Sequence, residues 1–96
     1  MFEIDLNESG EVVLTGRLDA AQAPAAQAFL DEIEHGCVVD MAALEYISSA
    51  GLGVLLRAHK RLAGSGGGLE LRNVNAHIGD IFSYSGFDRL FVIHPR

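Results

Sequence analysis

Apolar and polar residues alternate in several short segments of the chain, and between these segments apolar residues recur at helical spacing. Alternation and short apolar runs predict five strands, at residues 2–6, 12–15, 37–41, 69–74 and 90–93. The segment Asn7-Glu8-Ser9-Gly10 between the first two strands has turn chemistry, so we expect these strands to pair as a hairpin.

Three helices are predicted between the later strands. The first extends from about Ala21 to Glu34, and Pro24 fits it only in the first turn, where no backbone hydrogen bond is lost. The second extends from Ser49 to Ala63 and carries one apolar stripe. The third is capped by Asn75 and runs through Tyr84, with Gly86 after its end.

The predicted order of elements is ββαβαβαβ. Strands that are separated by helices are joined by right-handed crossovers, which pack the helices on the sheet, whereas the first hairpin is antiparallel. A length of 96 residues suits one domain with a modest core. The sequence therefore predicts a single α/β domain over residues 1–96, with a mixed sheet and helices packed on it.

Composition places the chain among globular proteins, since 49% of its residues are hydrophobic. No apolar run reaches the length of a membrane-spanning helix, so no membrane insertion is expected. The first residues, Met1 to Asp5, are acidic and alternating, and they lack the basic start and apolar core of a signal peptide. These features predict a cytoplasmic protein.

The formal net charge of −6 argues against nucleic acid as a partner, because nucleic-acid phosphates require a basic surface. The charge is uneven along the chain. Residues 1–50 hold ten acidic residues and one basic residue, whereas residues 51–96 hold three acidic and six basic residues. An ordinary solvated surface and a face that steers a basic protein partner both explain this distribution.

Few residues have the arrangement that catalysis or cofactor binding requires. Cys37 is the only cysteine, which excludes an intramolecular disulfide, and its apolar neighbours predict a buried, inert thiol. The four histidines have no metal-ligand spacing, and Ser49 has no evident histidine partner for a hydrolase triad. We therefore expect no enzyme activity, no metal site and no cofactor.

Residues 44–53 are the most informative segment for function. Ser48 and Ser49 lie at the junction between a strand with its loop and an amphipathic helix, and the small residues that follow leave the first turn accessible. A phosphate here would add about −1.5 to −2 charges. The positive end of the helix dipole makes this charge compatible with the fold, whereas a docked partner would be repelled by like charge or by the cost of desolvation. A plain serine helix cap that is never modified explains the same residues.

A wider pattern runs along almost the whole chain. It consists of Gly16-Arg17-Leu18-Asp19, Val39-Asp40 followed by Leu44, Ile47-Ser48-Ser49-Ala50-Gly51-Leu52-Gly53, residues 67–74 and Ser85-Gly86-Phe87-Asp88-Arg89-Leu90-Phe91. In order and spacing this pattern resembles STAS-domain proteins of the anti-sigma factor antagonist family. The resemblance implies a STAS fold and a bacterial regulator of transcription that acts by binding other proteins.

The resemblance also implies a switching mechanism. In the family, the unphosphorylated protein binds an anti-sigma factor that is also a serine kinase, and this binding releases the sigma factor. The kinase phosphorylates the serine that begins the second helix and so switches binding off, and a serine phosphatase restores the binding form. By position, the phosphoacceptor falls on Ser49.

Two further positions, Ser48 and Asp19, bear on the expected phosphorylation of Ser49. Ser48 stands where the family often has Asp, so Ser48 is a rival phosphosite, and Asp19 falls on an acidic position near the phosphoserine that is expected to help orient the kinase. The partner-binding residues implied by the resemblance are Asp19, Ser48, Ser49, Ala50, Gly51 and Leu52.

The chain departs from the family pattern after its last predicted strand. Family members usually carry a further C-terminal helix there, whereas this sequence ends at Arg96. Either this helix is absent or the sequence is trimmed before it; if the helix is absent, we expect a second copy of the chain or a distinct partner to cover the surface that it leaves exposed. A second function fits the same fold, namely a constitutive adaptor subunit of a transporter or sensory complex that binds through the same helix without phosphorylation.

Overall fold

An initial hairpin is followed by alternating helices and strands, and the computed structural model describes all residues 1–96. The strands are β1 (Phe2–Leu6), β2 (Val12–Leu18), β3 (Cys37–Ile47), β4 (Leu69–Val74) and β5 (Val92–Pro95). The helices are α1 (Ala23–Asp31), α2 (Ser49–Ala63) and α3 (Ala76–Ser85), and a 3-10 helix (Phe87–Arg89) precedes β5. The predicted order ββαβαβαβ is confirmed. No helix combines the length and the apolar character that crossing a membrane requires.

The five strands form one mixed sheet in the order β1-β2-β3-β4-β5. β1 and β2 are antiparallel, as the hairpin prediction required, and each later pair of neighbours is parallel. The three crossovers therefore all advance in the same direction across the sheet. Right-handed crossovers that advance in one direction place their helices on the same face, so α1, α2 and α3 cover one face of the sheet.

One core of 21 buried hydrophobic residues lies between that face and the helices. From β2, Val12, Leu14 and Leu18 are fully buried, and from α2 Leu55 and Leu62 are fully buried. No polar or charged residue is buried. The side chains of the core therefore stabilise the fold through apolar burial.

β2 and β3 are both longer than predicted, which determines where the candidate site begins. The predicted end of β2 at Thr15 is wrong, because the strand continues through Gly16, whose φ of +89° suits glycine, to Leu18. The predicted end of β3 at Met41 is also wrong, because the strand continues to Ile47. Leu18 and Ile47 pair with each other, so β2 and β3 end side by side.

α1 is shorter than predicted at both ends. It begins at Ala23 because the Oδ1 atom of Asp19 accepts the backbone N–H of Gln22 at 3.1 Å and holds the preceding residues in a turn. It ends at Asp31 rather than Glu34. The Nη2 atom of Arg61 donates to the carbonyl oxygen of Leu30, within the last turn, and to that of Ile33, beyond the helix, each at 2.8 Å. This contact fastens the end of α1 to α2, and the Leu30 carbonyl also accepts the backbone N–H of Ile33 at 3.0 Å.

β5 begins two residues later than predicted, so the prediction of a strand at residues 90–93 is wrong in its start. Gly86, at a φ of +77°, ends α3 and leads into the 3-10 helix. Phe91 is then buried, with its ring centroid 4.8 Å from that of His59 and 5.8 Å from that of Phe82. The pairing with β4 starts only at Val92.

Candidate functional site

Ser48 is the N-terminal cap of α2. Its backbone is extended, with a ψ of 170°, and its Oγ atom accepts the N–H of Gly51 at 3.1 Å. Its own N–H donates to the carbonyl oxygen of Leu18 at 2.9 Å, which fastens the start of α2 to the end of β2. The hydroxyl of Ser48 is thus engaged in holding the helix start, and the side chain is only half-exposed.

Ser49 is the first residue of α2 and differs from Ser48 in both respects. It is exposed, and its hydroxyl makes no hydrogen bond within the protein. The sequence left open which serine caps the helix, and the structure assigns the cap to Ser48 alone. Ser49 therefore presents a free hydroxyl to solvent beside the N–H groups of the first helical turn.

Gly51 brings the start of α2 against the ends of both central strands. A Cβ atom at this position would lie 2.8 Å from Cγ of Leu18 and 2.9 Å from Cγ1 of Ile47. Both of those side chains are buried, so neither has free space to move into. The close approach that positions Ser48 and Ser49 therefore depends on the absence of a side chain at Gly51.

Asp19 lies at the same edge of the sheet. It directly follows Leu18, the last residue of β2, whose carbonyl accepts the N–H of Ser48. The side chain is half-exposed, and only its Oδ1 atom has a partner, the N–H of Gln22. The structure thus brings Asp19 and the two serines to one edge, as the resemblance implied, and it gives Asp19 a structural task at the start of α1.

The remaining predicted partner-binding residues divide between surface and core. Ala50 is half-exposed next to Ser49. Gly51 and Leu52 are buried, and Leu52 exposes only 6% of its surface, so its side chain packs into the core. Gly51 and Leu52 therefore pack beneath the exposed surface at the start of α2, whereas Ser49 and Ala50 are part of that surface.

A shallow groove of about 380 Å³ separates α1 from α2 and begins at Ser49. Ala50, Gly53 and Arg57 line it from α2, and Gln27 lines it from α1. The Nε atom of Arg57 donates to Oε1 of Gln27 at 3.0 Å across the groove. Sequence reasoning placed Arg57 with the basic residues that favour the helix C-terminus and missed this position. Its spacing of four and eight residues from Gly53 and Ser49 was the available signal.

Cys37, Asp40 and Tyr46, which the sequence analysis or the family pattern includes, each have contacts that suit a structural role. Cys37 is half-buried, and burial raises the pKa of its thiol, which keeps it in the unreactive protonated form. The Oδ1 atom of Asp40 accepts from the N–H of Ala42 and from Nδ2 of Asn73, each at 3.0 Å. Tyr46 is half-exposed, with the guanidinium carbon of Arg17 4.4 Å from its ring centroid.

The two serines should differ in their effect on stability. We expect Ser48→Ala to lower the free energy of unfolding by about 1 kcal/mol, because the N–H of Gly51 loses its acceptor. We expect Ser49→Ala to change it by less than about 0.5 kcal/mol, as for other exposed positions without contacts. Urea denaturation of both variants measures the difference, and a larger loss in Ser49→Ala would reverse the assignment of the cap.

Comparison with known proteins places this arrangement in a family. A sequence profile described as "Mlab, STAS domain" matches residues 4–93. The "Putative anti-sigma factor antagonist BtrV" of Bordetella bronchiseptica is 37% identical over 84 residues, a match that spans 83% of this chain and 72% of that protein. These descriptions name a protein domain and a regulator, and they indicate no enzyme family.

Solved structures share the fold at lower identity. An anti-sigma factor antagonist from Mycobacterium paratuberculosis superposes with a TM-score of 0.83 at 21% identity, over 100% of this chain and 86% of that one. The Bacillus cell fate determinant SpoIIAA, solved in its phosphorylated form, superposes with a TM-score of 0.70 at 19% identity, over 97% of this chain and 90% of that one. The profile, the BtrV match and the shared fold show that this chain belongs to the STAS-domain family of anti-sigma factor antagonists.

Proposed function

We propose that this protein is an anti-sigma factor antagonist whose binding to an anti-sigma factor is switched off by phosphorylation of Ser49. The observation that carries the proposal is the free, exposed hydroxyl of Ser49 at the start of α2, beside a neighbouring serine that already serves as the cap. The relationship to BtrV and to SpoIIAA, one named an antagonist and the other solved in a phosphorylated form, supports the same function.

We choose Ser49 over Ser48 as the phosphosite because only the hydroxyl of Ser48 takes part in a hydrogen bond within the protein. Phosphorylating Ser48 would convert the oxygen that accepts from Gly51 into a bulky ester in a half-exposed position at the strand edge. Phosphorylating Ser49 breaks no hydrogen bond within the protein. The phosphate would lie at the exposed start of α2, near the positive end of the helix dipole, where a negative charge is favourable.

The same phosphate would act strongly on a docked partner. In the unphosphorylated protein, Ser49, Ala50 and the groove behind them offer a small surface, with Arg57 as its one charged lining residue, onto which another protein can pack. About two negative charges added at this surface would have to be desolvated on binding, or would meet carboxylates of the partner. Binding would weaken without a change of fold, and a serine phosphatase would restore it.

The reaction itself requires nothing from this chain beyond the hydroxyl. The kinase transfers the γ-phosphoryl group of ATP to Oγ of Ser49, the hydroxyl proton leaves to a base of the kinase, and ADP departs. The partner is therefore proposed to be an anti-sigma factor that carries its own serine kinase site. Asp19, at the same edge of the sheet with one carboxylate oxygen free, is proposed to contact it.

Phosphorylation by the anti-sigma factor kinase encoded nearest to this chain is the direct test. We expect incubation of the purified pair with ATP to add one phosphate, mapped to Ser49 by mass spectrometry of the peptides. Ser49→Ala should abolish the modification, whereas Ser48→Thr, which keeps a capping oxygen, should retain it. Phosphate on Ser48 alone would move the site, and no phosphate on either serine would favour a constitutive adaptor.

A further inference from the structure

We propose that Arg57 is the internal partner of phosphorylated Ser49, holding the phosphate over the groove between α1 and α2. This inference rests on the proposed function, which supplies the phosphate on Ser49. It adds a residue, Arg57, that would bind the phosphate and fix its position on the surface. Its basis is the position of the Arg57 guanidinium, its unused donors and the neutral character of every other residue that lines the groove.

Arg57 is the only charged residue lining the groove that Ser49 enters. Its Nε atom is held by Gln27, and Nε2 of Gln27 donates in turn to Oδ1 of Asp31 at 2.7 Å. The two Nη atoms of Arg57 have no hydrogen-bond acceptor in the protein. The guanidinium is therefore anchored at one edge, and its remaining donors are free for an anion.

The guanidinium lies back along α2 toward Ser49. Its Nη1 atom is only 3.2 Å from the position that a Cβ atom would occupy at Gly53, one helical turn before Arg57. Side chains four residues apart on a helix have Cβ atoms about 5–6 Å apart, so Nη1 lies within about 9 Å of the Cβ atom of Ser49. A phosphate on Oγ spans part of that gap, and a turn of the guanidinium about its Nε contact with Gln27 brings the free Nη atoms over the rest.

The other cations of α2 do not have this position. Arg61 uses its Nη2 atom on the last carbonyls of α1. Lys60 is exposed and makes no side-chain hydrogen bond, and it does not line the groove. Lys60 thus provides a matched control, because its removal changes the charge of the same helix by the same amount.

The elements that meet at the start of α2 carry other charged groups there, namely Arg17 and Asp19 at the end of β2 and Glu45 on β3. Asp31 is the last residue of α1 and lies at the end of that helix away from Ser49. Arg17 lies over the ring of Tyr46, and Asp31 is bound to Gln27. Arg57 is the cation that shares the groove with Ser49, so the effect of its removal should exceed that of any equivalent change elsewhere on α2.

The experiment uses the full chain with phosphoserine incorporated at position 49 during synthesis, so that no kinase is needed. ³¹P NMR then follows the second ionisation of the phosphate, whose pKa is about 6 for free phosphoserine. Because Arg57 favours the dianion, we expect Arg57→Ala to raise this pKa by about 0.3–0.5 unit at low salt. Lys60→Ala should raise it by less than about 0.1 unit, and high salt should reduce both shifts.

Equal shifts in the two variants, or no shift in either, would overturn the proposal. If Arg57→Ala fails to fold, Arg57→Gln removes the charge while keeping an amide that can reach Gln27. A further readout is the Nε–H resonance of Arg57 in the wild-type chain, which should move when position 49 carries phosphoserine and stay in place when it carries serine. Failure of the kinase assay would refute the proposed switch and leave these NMR outcomes decisive for Arg57.

Discussion

Phosphoserine at position 49 should weaken binding to the anti-sigma factor kinase by about 100-fold, and Ser49→Asp by about 10-fold. A hundredfold loss corresponds to about 2.7 kcal/mol, which is within the cost of desolvating or opposing a doubly charged group at an interface. Aspartate carries half the charge and fewer acceptor oxygens, so its effect should be smaller. Isothermal titration of the purified kinase with each form measures both values.

The fold should not change in either form, because Ser49 is exposed and its hydroxyl holds no structural hydrogen bond. Circular dichroism and urea denaturation should match the wild type within about 0.5 kcal/mol. Ser65→Asp is the control for added charge, since Ser65 is exposed in the turn after the other end of α2. Unchanged affinity of Ser49→Asp and of the phosphoserine form would eliminate the switch mechanism.

Local signals were sufficient for the elements whose ends are set by their own residues. Asn75 caps α3 by accepting the N–H of Ile78, and Gly86 ends it in the left-handed conformation, both as predicted. The start of α2 was also predicted, since serine caps and the apolar stripe lie within the same short segment. Capping and periodicity are properties of a few adjacent residues, so a single sequence reveals them.

The errors occurred where distant residues set the ends. β3 continues past Met41 through two alanines, which are poor strand formers. Its extension pairs with β2 alone, and on the opposite side the carbonyls of Ala42 and Leu44 accept hydrogen bonds from the side chains of Arg96 and Asn75. Those partners are more than 30 positions away in the sequence, so no local pattern could indicate them.

The candidate site shows the same division. The serine pair and the small residues after it were evident from the sequence, and the resemblance selected Ser49. The distinction that supports this choice, a hydroxyl bound to Gly51 against a free one, required coordinates. Arg57 enters the site only because α1 lies beside α2 and Gln27 fixes the guanidinium, which is tertiary information.

Gly51→Ala should lower the free energy of unfolding by about 2 kcal/mol, because the new methyl group has no space. Its carbon would lie 2.8 Å from Cγ of Leu18, 2.9 Å from Cγ1 of Ile47 and 3.0 Å from the carbonyl oxygen of Leu18. Alanine gains up to about 1 kcal/mol in helix propensity over glycine, and the expected net loss includes that gain. Urea denaturation of the variant and the wild type gives the value.

Gly53→Ala is the matched control, because it makes the same chemical change two residues further along the same helix. Its new carbon meets only the exposed Arg57 side chain, with Nη1 at 3.2 Å, and this atom can shift by a few tenths of an ångström while Nε keeps its contact with Gln27. We therefore expect Gly53→Ala to raise the free energy of unfolding by about 0.5–1 kcal/mol. Equal effects of the two substitutions would show that the contact between the start of α2 and the ends of β2 and β3 does not constrain the site. Opposite signs would show that this contact, rather than helix propensity, determines the effect of a methyl group at position 51.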